Sequence, residues 1–165
     1  MLRRYRAAVL TLSDKGSQGK REDTSGTWLC KELKKCGYEI ADYEILPDEQ
    51  VMIEEKLIQL ADEQICDLIL TTGGTGLSKR DRTPEATRTV IDQEVPGIAE
   101  AIRGYSMTIT KRAMLSRGVS GIRKEALIIN LPGSQKAVEE SFSYILDTLE
   151  HALGILTGTE GECGR

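Results

Sequence analysis

Short apolar runs alternate with longer amphipathic segments along this chain. Three of the runs are nearly continuous in apolar residues: Arg6–Leu12, Cys66–Thr71 and Ala126–Leu131. Runs of this length are typical of strands that are buried on both faces of a parallel sheet. Tyr38–Leu46 carries a weaker strand pattern, which stops at Pro47. The pattern therefore predicts four strands, each followed by a loop.

Apolar residues at helical spacing occupy the intervals between the strands. Gly37 is expected to end the first helix, as glycine commonly does. Thr83 and Pro84 are expected to begin the third, as N-cap and first helical residue. The predicted helices are Ser25–Cys36, Val51–Gln64, Thr83–Asp92, Pro96–Gly104 and Gln135–Leu156. The segment Met107–Glu125 mixes polar and apolar residues without a clear period.

Strands that alternate with amphipathic helices predict an α/β fold, with a mostly parallel sheet and helices on both faces. We expect one domain over residues 1–157 and a flexible tail over residues 158–165. In such sheets, ligands bind outside the carboxyl ends of the strands. Three glycine-rich or polar loops at those ends are therefore expected to be neighbours: Ser13–Ser25, Gly73–Arg82 and Pro132–Gln135.

The charge balance argues against some classes of protein. A net charge of −4 over 165 residues does not fit general nucleic-acid binding, which shows as a basic excess. No apolar run approaches the ~20 residues that span a bilayer. The four cysteines and the single histidine lack the spacing of a zinc site. Because no signal peptide precedes the first strand, we expect a cytoplasmic protein with reduced thiols.

A glycine-rich motif, Gly73-Gly74-Thr75-Gly76, follows Thr72 at the end of a predicted strand. Glycines in this position let backbone N–H groups turn inward and meet an anion. The N-terminus of the following helix adds a favourable partial charge. The motif is neither a Walker A loop nor a dinucleotide-binding fingerprint. A tight turn between strand and helix is the alternative interpretation.

Three aspartates stand in or beside these loops. Asp81 lies within the run Lys79–Arg82, whose three cations favour its ionised form. A charged carboxylate beside a phosphate-binding loop suits a magnesium ligand. A solvated charge cluster is the alternative. Asp14 and Asp48 follow strands at the same sheet edge and are further metal or substrate candidates, although Asp48 could instead cap the next helix.

Cations recur in the loops of this acidic protein, which indicates a phosphorylated small molecule as ligand. They are Lys15, Lys20, Arg21, Lys79, Arg80, Arg82, Arg112, Arg117, Arg123 and Lys124. Ordinary surface charge is the alternative for each of them taken singly. The only histidine, His151, falls within the last predicted helix and is not expected to be catalytic.

The stretch Thr71–Ala86, TTGGTGLSKRDRTPEA, resembles the signature of the molybdopterin-binding, molybdenum-cofactor biosynthesis family. Further matches follow in the same order from about residue 5 to about residue 150. They are Ser13-Asp14, Asp23–Gly26, Leu46–Glu49, Leu115–Arg117 and Asn130–Gly133. Within the family, the Leu-Pro-Asp-Glu and Arg-Asp-x-Thr-Pro stretches resemble the molybdopterin adenylyltransferases (the MogA type and the G domain of gephyrin). One departure is Gln135, where the family often has proline.

The resemblance implies a three-layer α/β/α sandwich that forms a homotrimer. It implies transfer of AMP from ATP to molybdopterin with release of pyrophosphate, dependent on Mg²⁺, and a possible hand-over of the product to a molybdate-inserting enzyme. Asp48 and Asp81 match the two aspartates tied to adenylylation and are implied as catalytic and metal-binding residues. The implied substrate-binding residues are Ser13, Asp14, Thr72, Gly73, Gly74, Thr75, Gly76, Ser116, Arg117, Pro132 and Gly133.

Two other functions remain open from the sequence. One is a molybdopterin-binding or scaffold module without adenylylation activity, which the presence of both Asp48 and Asp81 disfavours. The other is a different nucleotide-dependent enzyme on the same fold, such as a nucleotide hydrolase. Nucleic acid and membrane are not expected as partners.

Overall fold

Strands and helices alternate along the residues that the computed structural model describes, which are residues 4–160. The strands are β1 (Arg6–Leu12), β2 (Glu39–Leu46), β3 (Leu68–Thr72), β4 (Gln93–Glu94), β5 (Ser120–Arg123) and β6 (Ala126–Leu131). The α-helices are α1 (Asp14–Ser17), α2 (Thr24–Lys35), α3 (Gln50–Asp62), α4 (Thr83–Val90), α5 (Pro96–Met107) and α6 (Gln135–Leu156), and Lys111–Leu115 is a 3₁₀-helix.

One six-stranded sheet runs through the molecule in the order β2–β1–β3–β6–β5–β4. The four strands predicted from the apolar runs pair in parallel, as expected. β5 and β4 add an antiparallel edge. These two strands escaped prediction because β4 is only two residues long and β5 buries only Ser120 and Gly121. The segment Met107–Glu125, which had no clear period, contains the 3₁₀-helix and β5.

Two apolar cores lie on opposite faces of the sheet, because successive strand residues point to opposite sides. On one face, Val9, Leu70 and Ile129 pack against α2 and α6. On the other face, Leu10 and Ile69 pack against α3 and α4. The predicted three-layer α/β/α sandwich is therefore confirmed.

The start of α4 differs from the prediction. Thr83 is the first residue of the helix and not its N-cap, which is Arg82. The Thr83 hydroxyl donates instead to the carbonyl oxygen of Gly73, at 3.0 Å, and so ties the helix to the glycine-rich turn. The helix also ends at Val90, two residues earlier than predicted, because the chain leaves it to place the Asp92 amide on the Ile122 carbonyl, at 2.7 Å.

A buried asparagine links the parallel and antiparallel parts of the sheet. The Asn130 amide group donates to the hydroxyls of Thr71 and Thr87, at 3.0 and 2.9 Å. Its carbonyl oxygen accepts the backbone N–H of Val119, at 3.0 Å. A polar side chain buried in a sheet is stable only when such bonds are made. Asn130 therefore fixes β3, β6, α4 and the chain entering β5 relative to one another.

The described end of the chain folds back on α6. The backbone amides of Thr159 and Glu160 donate to the carbonyl oxygen of Gly154, at 2.9 and 3.0 Å. Residues 161–165 of the predicted tail, with Cys163, lie outside the described residues. Among the helices that the structure describes, none is both long and apolar enough to cross a membrane.

Candidate functional site

A polar cavity of about 410 Å³ opens at the carboxyl ends of the strands. It lies where the chain leaves β1 and β3, the adjacent strands from which the chain continues to opposite sides of the sheet, to β2 and to β6. Open α/β sheets bind their ligands at such a switch point, and the volume is that of a typical ligand site. Its walls are residues 11–13, 16, 21–25, 48, 72–74, 81, 133 and 134. The predicted proximity of the three loops is therefore confirmed, and the loop after β2 adds Asp48.

Two glycines shape the floor of this cavity. Gly73 and Gly74 have φ angles of +96° and +68°, which residues with a Cβ rarely adopt. A Cβ on Gly73 would lie 2.5 Å from the carbonyl oxygen of Leu12. The turn after β3 therefore passes directly against the end of β1, which only glycine permits. Gly73 also donates its N–H to Leu131, at 3.3 Å, and the Thr72 hydroxyl donates to Pro132, at 2.6 Å.

The N-termini of two long helices face the cavity. Asp23 caps α2 by accepting the backbone N–H of Gly26, at 2.9 Å, and Ser134 caps α6 by accepting that of Ala137, at 3.3 Å. Asp23 and Ser134 both line the cavity, as does Ser25 near the start of α2. Helix N-termini favour anions, because their first N–H groups lack partners within the helix and the helix dipole is positive there. These two ends supply positive potential from the backbone alone.

Asp14 and Asp48 hold each other through their backbones. The amide of Asp14 donates to Asp48 Oδ2, and the amide of Asp48 donates to Asp14 Oδ1, each at 3.0 Å. This reciprocal pair locks the loop after β1 to the loop after β2. It also excludes the alternative role for Asp48 as helix cap, since the N-cap of α3 is Glu49.

The second oxygen of Asp48 has no protein partner. Asp48 Oδ1 is buried and accepts no hydrogen bond from any described residue. Burial raises the pKa of Asp48, and the negative charges of Asp14 and Asp81 raise it further. The hydrogen bond from the Asp14 amide acts in the opposite direction and lowers this pKa. Asp48 Oδ1 lies beside Gly74, since a Cβ added to Gly74 would be 3.3 Å from this oxygen. Buried polar atoms normally have a partner, so an unpaired carboxylate oxygen in a polar cavity is suited to bind a cation or a hydrogen-bond donor.

Asp48 and Asp81 fit a magnesium ion that substrate helps to hold. Both line the cavity, and the charge of Asp81 acts on Asp48. Within residues 4–160, no three acidic, histidine or cysteine side chains cluster tightly enough to bind a metal by themselves. Mg²⁺ commonly takes one or two carboxylates and completes its shell with phosphate oxygens and water. The pair suits that arrangement and not a metal cage built from protein alone.

Most of the cations predicted for the site lie outside the cavity lining, and several bind other residues. Arg80 binds Asp14 through two hydrogen bonds, at 2.9 and 3.0 Å, and Glu49 at 2.8 Å. This contact lowers the pKa of Asp14. Arg82 donates two hydrogen bonds to Gln50 Oε1, at 2.7 and 3.0 Å, and its partner is therefore not Asp81. Of the ten loop cations named from the sequence, only Arg21 lines the cavity.

The predicted substrate-binding residues fall into two groups. Ser13, Thr72, Gly73, Gly74 and Gly133 line the cavity beside the two aspartates. Asp14 stands next to it in its pair with Asp48. The others lie outside its lining, and Arg117 contacts the backbone of the glycine-rich loop. This second group is Thr75, Gly76, Ser116, Arg117 and Pro132.

Several lining residues were not named as site residues from the sequence, although Asp23 falls within the matched stretch Asp23–Gly26. Asp23 accepts hydrogen bonds from the hydroxyls of Thr11, at 2.6 Å, and Tyr43, and so anchors α2 to two strands. Asp23, three residues before Gly26 at a helix start, carries the signal of an N-cap, which could have identified it. Ser134 carries the same signal before α6. Thr11 lies within an apolar run, and nothing in its pattern distinguishes it.

Comparison with known proteins places the chain among molybdopterin-related proteins. A family model described as "probable molybdopterin binding domain" matches residues 8–151. The molybdopterin adenylyltransferase of Helicobacter pylori (strain J99) is 40% identical over 152 residues, which is 91% of this chain and 86% of that protein. The enzyme of the same name from Escherichia coli K12 is 42% identical over 146 residues, or 86% of this chain and 74% of that protein.

Solved structures give the same picture. The molybdopterin biosynthesis enzyme MoaB of Thermus thermophilus superposes with a TM-score of 0.88 at 50% identity, and the match covers 93% of this chain and 97% of that one. The likeness therefore extends over nearly the whole chain.

Proposed function

The chain belongs to the family described as probable molybdopterin binding domains of molybdenum-cofactor biosynthesis, and from that premise we propose that it is a molybdopterin adenylyltransferase. It transfers AMP from ATP to molybdopterin and releases pyrophosphate. One observation carries the proposal: Asp48, with a buried and unpaired carboxylate oxygen, faces the same cavity as Asp81, two helix N-termini and the Gly73-Gly74 turn. The name that the Helicobacter pylori and Escherichia coli relatives bear supports it.

The cavity suits two phosphorylated substrates together. The α2 and α6 N-termini and Arg21 offer donors and positive charge to anionic groups. The turn at Gly73 and Gly74 leaves the backbone uncovered by side chains, so that phosphate oxygens can approach it. Adenylyl transfer joins two anions, so bringing them into contact is a large part of the catalytic task.

In the reaction, an oxygen of the terminal phosphate of molybdopterin attacks the α-phosphorus of ATP. The new P–O bond forms as the bond to the β-phosphate oxygen breaks, and pyrophosphate leaves with that electron pair. Phosphoryl-type transfer depends on alignment and charge stabilisation more than on a covalent nucleophile. Backbone N–H groups and the helix N-termini orient the two substrates.

Asp48 and Asp81 would hold Mg²⁺, together with phosphate oxygens. The ion, when bound, offsets negative charge on the departing pyrophosphate. The Asp14 amide fixes the Asp48 carboxylate through Oδ2 and leaves Oδ1 free for this contact. Asp81 Oδ2 accepts the Ser78 amide, at 2.9 Å, so its carboxylate is also held in one orientation.

The direct test separates binding from transfer. Wild type, Asp48→Asn and Asp81→Asn are each titrated with molybdopterin and then incubated with molybdopterin, ATP and Mg²⁺. We expect both variants to bind molybdopterin within about threefold of wild type and to lose adenylyl-molybdopterin formation by a factor of about 10²–10³, the usual effect of removing a charge-stabilising group. Asp147→Asn, on the exposed face of α6, is the matched control and should retain full activity.

Each other outcome has a definite meaning. Transfer by Asp81→Asn at the wild-type rate would show that the metal assignment is wrong. If wild type binds molybdopterin but never forms the adduct, the chain is a binding or scaffold module. Release of inorganic phosphate from ATP without molybdopterin would identify a nucleotide hydrolase instead.

The proposal includes the setting of the reaction. We place it in the cytoplasm, in a homotrimer, with adenylyl-molybdopterin passing to an enzyme that inserts molybdate. Exposed apolar side chains near the end of α5 and in the 3₁₀-helix support assembly, since a monomer rarely exposes many such groups together. They are Met107, Ile109, Met114 and Leu115.

A further inference from the structure

The Arg117 side chain bridges both ends of the loop that carries Asp81. Its Nε donates to the carbonyl oxygen of Gly76, at 2.8 Å, and its Nη2 donates to that of Asp81, at 2.7 Å. The backbone amide of Arg117 donates to Thr75, at 2.9 Å. Three hydrogen bonds from one residue thus hold the start and the end of the exposed segment 76–81 at a fixed separation.

A carboxylate beneath the loop holds the same guanidinium. Arg117 Nη1 forms an ion pair with Glu85 Oε1 in the first turn of α4. The other oxygen of Glu85 is buried and has no hydrogen-bond partner among the described residues. Glu85 therefore depends mainly on Arg117 for compensation of its charge, with a smaller contribution from Arg82. The pair connects the loop to the helix that follows it.

All three nitrogens of the Arg117 guanidinium are thus committed to the protein. Arg117 does not line the cavity, so it is poorly placed to bind a phosphate group there. We propose that Arg117 is a positioning residue for Asp81 and not a substrate ligand. It sets the distance between Asp81 and Asp48 across the cavity. This inference rests on the proposed function, in which the two carboxylates act together.

The geometry requires arginine. A guanidinium is planar and presents donors in a fixed fork, so one side chain can reach two carbonyl oxygens and a carboxylate together. A lysine ammonium keeps the positive charge beside Glu85 but cannot reproduce that fork. Arg117→Lys therefore removes the bridge between Gly76 and Asp81 while it retains a partner for the buried carboxylate.

The matched control is Arg123→Lys. Arg123 is similarly engaged, with two hydrogen bonds to Asp62, at 2.8 and 2.7 Å, and one to the carbonyl oxygen of Val90, at 2.7 Å. It contacts the far end of α4, away from the cavity. Arg123→Lys therefore measures the effect of replacing a multiply bonded guanidinium by an ammonium group at a position that does not contact the Asp81 loop.

The experiment measures loop order and kinetics in parallel. In Arg117→Lys, hydrogen exchange of the ligand-free protein should rise at least about tenfold in the peptide covering 73–82. The kcat for adenylyl-molybdopterin should fall by about 10–10², as expected for a misplaced group, and the Mg²⁺ concentration for half-maximal rate should rise. The KM for molybdopterin should stay within about twofold. Arg123→Lys should leave all four quantities unchanged.

Three outcomes would overturn the proposal. If Arg117→Lys weakens molybdopterin binding tenfold with loop exchange unchanged, Arg117 is a ligand. If both variants lose activity and melting temperature alike, the role is only structural. If Arg117→Lys leaves the Mg²⁺ requirement and kcat unchanged, Asp81 does not need the bridge.

Two further measures keep the result decisive. Should Arg117→Lys not fold, the double variant Arg117→Gln, Glu85→Gln removes the bridge without leaving a buried unpaired charge, and the same readouts apply. If wild type forms no adduct, the proposed function fails by itself. The hydrogen-exchange comparison still decides whether Arg117 holds the Asp81 loop, because it needs neither substrate nor activity.

Discussion

Asp48 carries a charge that the surrounding protein compensates on one side only. Oδ2 accepts the Asp14 amide, whereas Oδ1 is buried without a partner among the described residues. An unsatisfied buried polar atom is costly to the folded state, and more so when it is charged. Such a group persists in a fold where function requires it, and it is then commonly a site of trade-off between stability and activity.

Removing that charge should therefore stabilise the protein. Asp48→Asn keeps an oxygen to accept the Asp14 amide and removes the buried negative charge. We expect the melting temperature at pH 7, without nucleotide or Mg²⁺, to rise by roughly 2–4 °C, the shift that about 1 kcal/mol produces in a domain of this size. Asp147→Asn, on an exposed helix face, should leave it unchanged. A lower melting temperature for Asp48→Asn would mean that the carboxylate is structural.

The difference in stability between Asp48→Asn and wild type should increase as the pH rises. Because its pKa is raised in the fold, Asp48 binds a proton more tightly in the folded protein than in the unfolded chain. Its wild-type contribution to stability is thus greatest below the ordinary pKa of 3.8 and is lost as pH rises through the raised value. The advantage of Asp48→Asn should accordingly be largest at neutral pH and shrink as pH falls toward that ordinary value.

At the scale of elements, the turn between β3 and α4 is constrained by its backbone and by its neighbours. Gly73 and Gly74 both have positive φ, and the Thr83 hydroxyl ties the first turn of α4 to the Gly73 carbonyl. Arg117 and Asn130 then attach α4 and its loop to the chain around β5 and β6. The cavity is therefore fixed by contacts between elements that are far apart in sequence.

Gly74→Ala should lower the free energy of unfolding by more than the strain of its left-handed backbone alone. The new Cβ would lie 2.2 Å from the Thr83 hydroxyl oxygen, so the bond from Thr83 to Gly73 must shift. Gly19→Ala is the matched control, since Gly19 has nearly the same φ, +70°, with open space around it. Each substitution costs about 1 kcal/mol for the left-handed backbone, and Gly74→Ala should lose about 1–3 kcal/mol more through the disturbed hydrogen bond. Urea unfolding measures both, and equal losses would show that Thr83 can move freely.

At the scale of the whole molecule, the order of the strands places the site. β1 sits between β2 and β3, so the loops after β1, β2 and β3 meet at one edge with that after β6. The antiparallel β5 and β4 extend the sheet on the other side. This topology brings together residues as distant as Ser13 and Ser134 without any direct signal between them in the sequence.

The assembly prediction belongs to this scale. A homotrimer should scatter light as about three times the 18.2 kDa of one chain, at micromolar concentration. Burial of exposed apolar side chains such as Met114 and Leu115 provides the physical reason. The mass should stay constant on tenfold dilution. A species of the mass of one chain under these conditions would contradict the trimer.

The sequence by itself determined the four parallel strands, most helix positions and the edge of the sheet at which the polar cavity opens. Apolar periodicity reports which face of each segment is buried, and that information is local in the chain. The two short antiparallel-paired strands escaped prediction because β4 buries neither of its residues and β5 buries only two. Thr83 was misassigned because its hydroxyl bonds a residue ten positions away.

Only the tertiary structure decided how the charged residues are used. The sequence shows that Arg80 and Arg82 stand near the glycine-rich loop, and the family resemblance implies Arg117 as a site residue, but neither shows that these arginines bind Asp14, Gln50 and Glu85. Likewise, the sequence identifies Asp48 as a candidate, whereas the unpaired oxygen that supports this candidate depends on Asp14 and on burial. Charge–charge pairing and desolvation depend on distance in space, and the partners lie up to 66 positions apart in the chain.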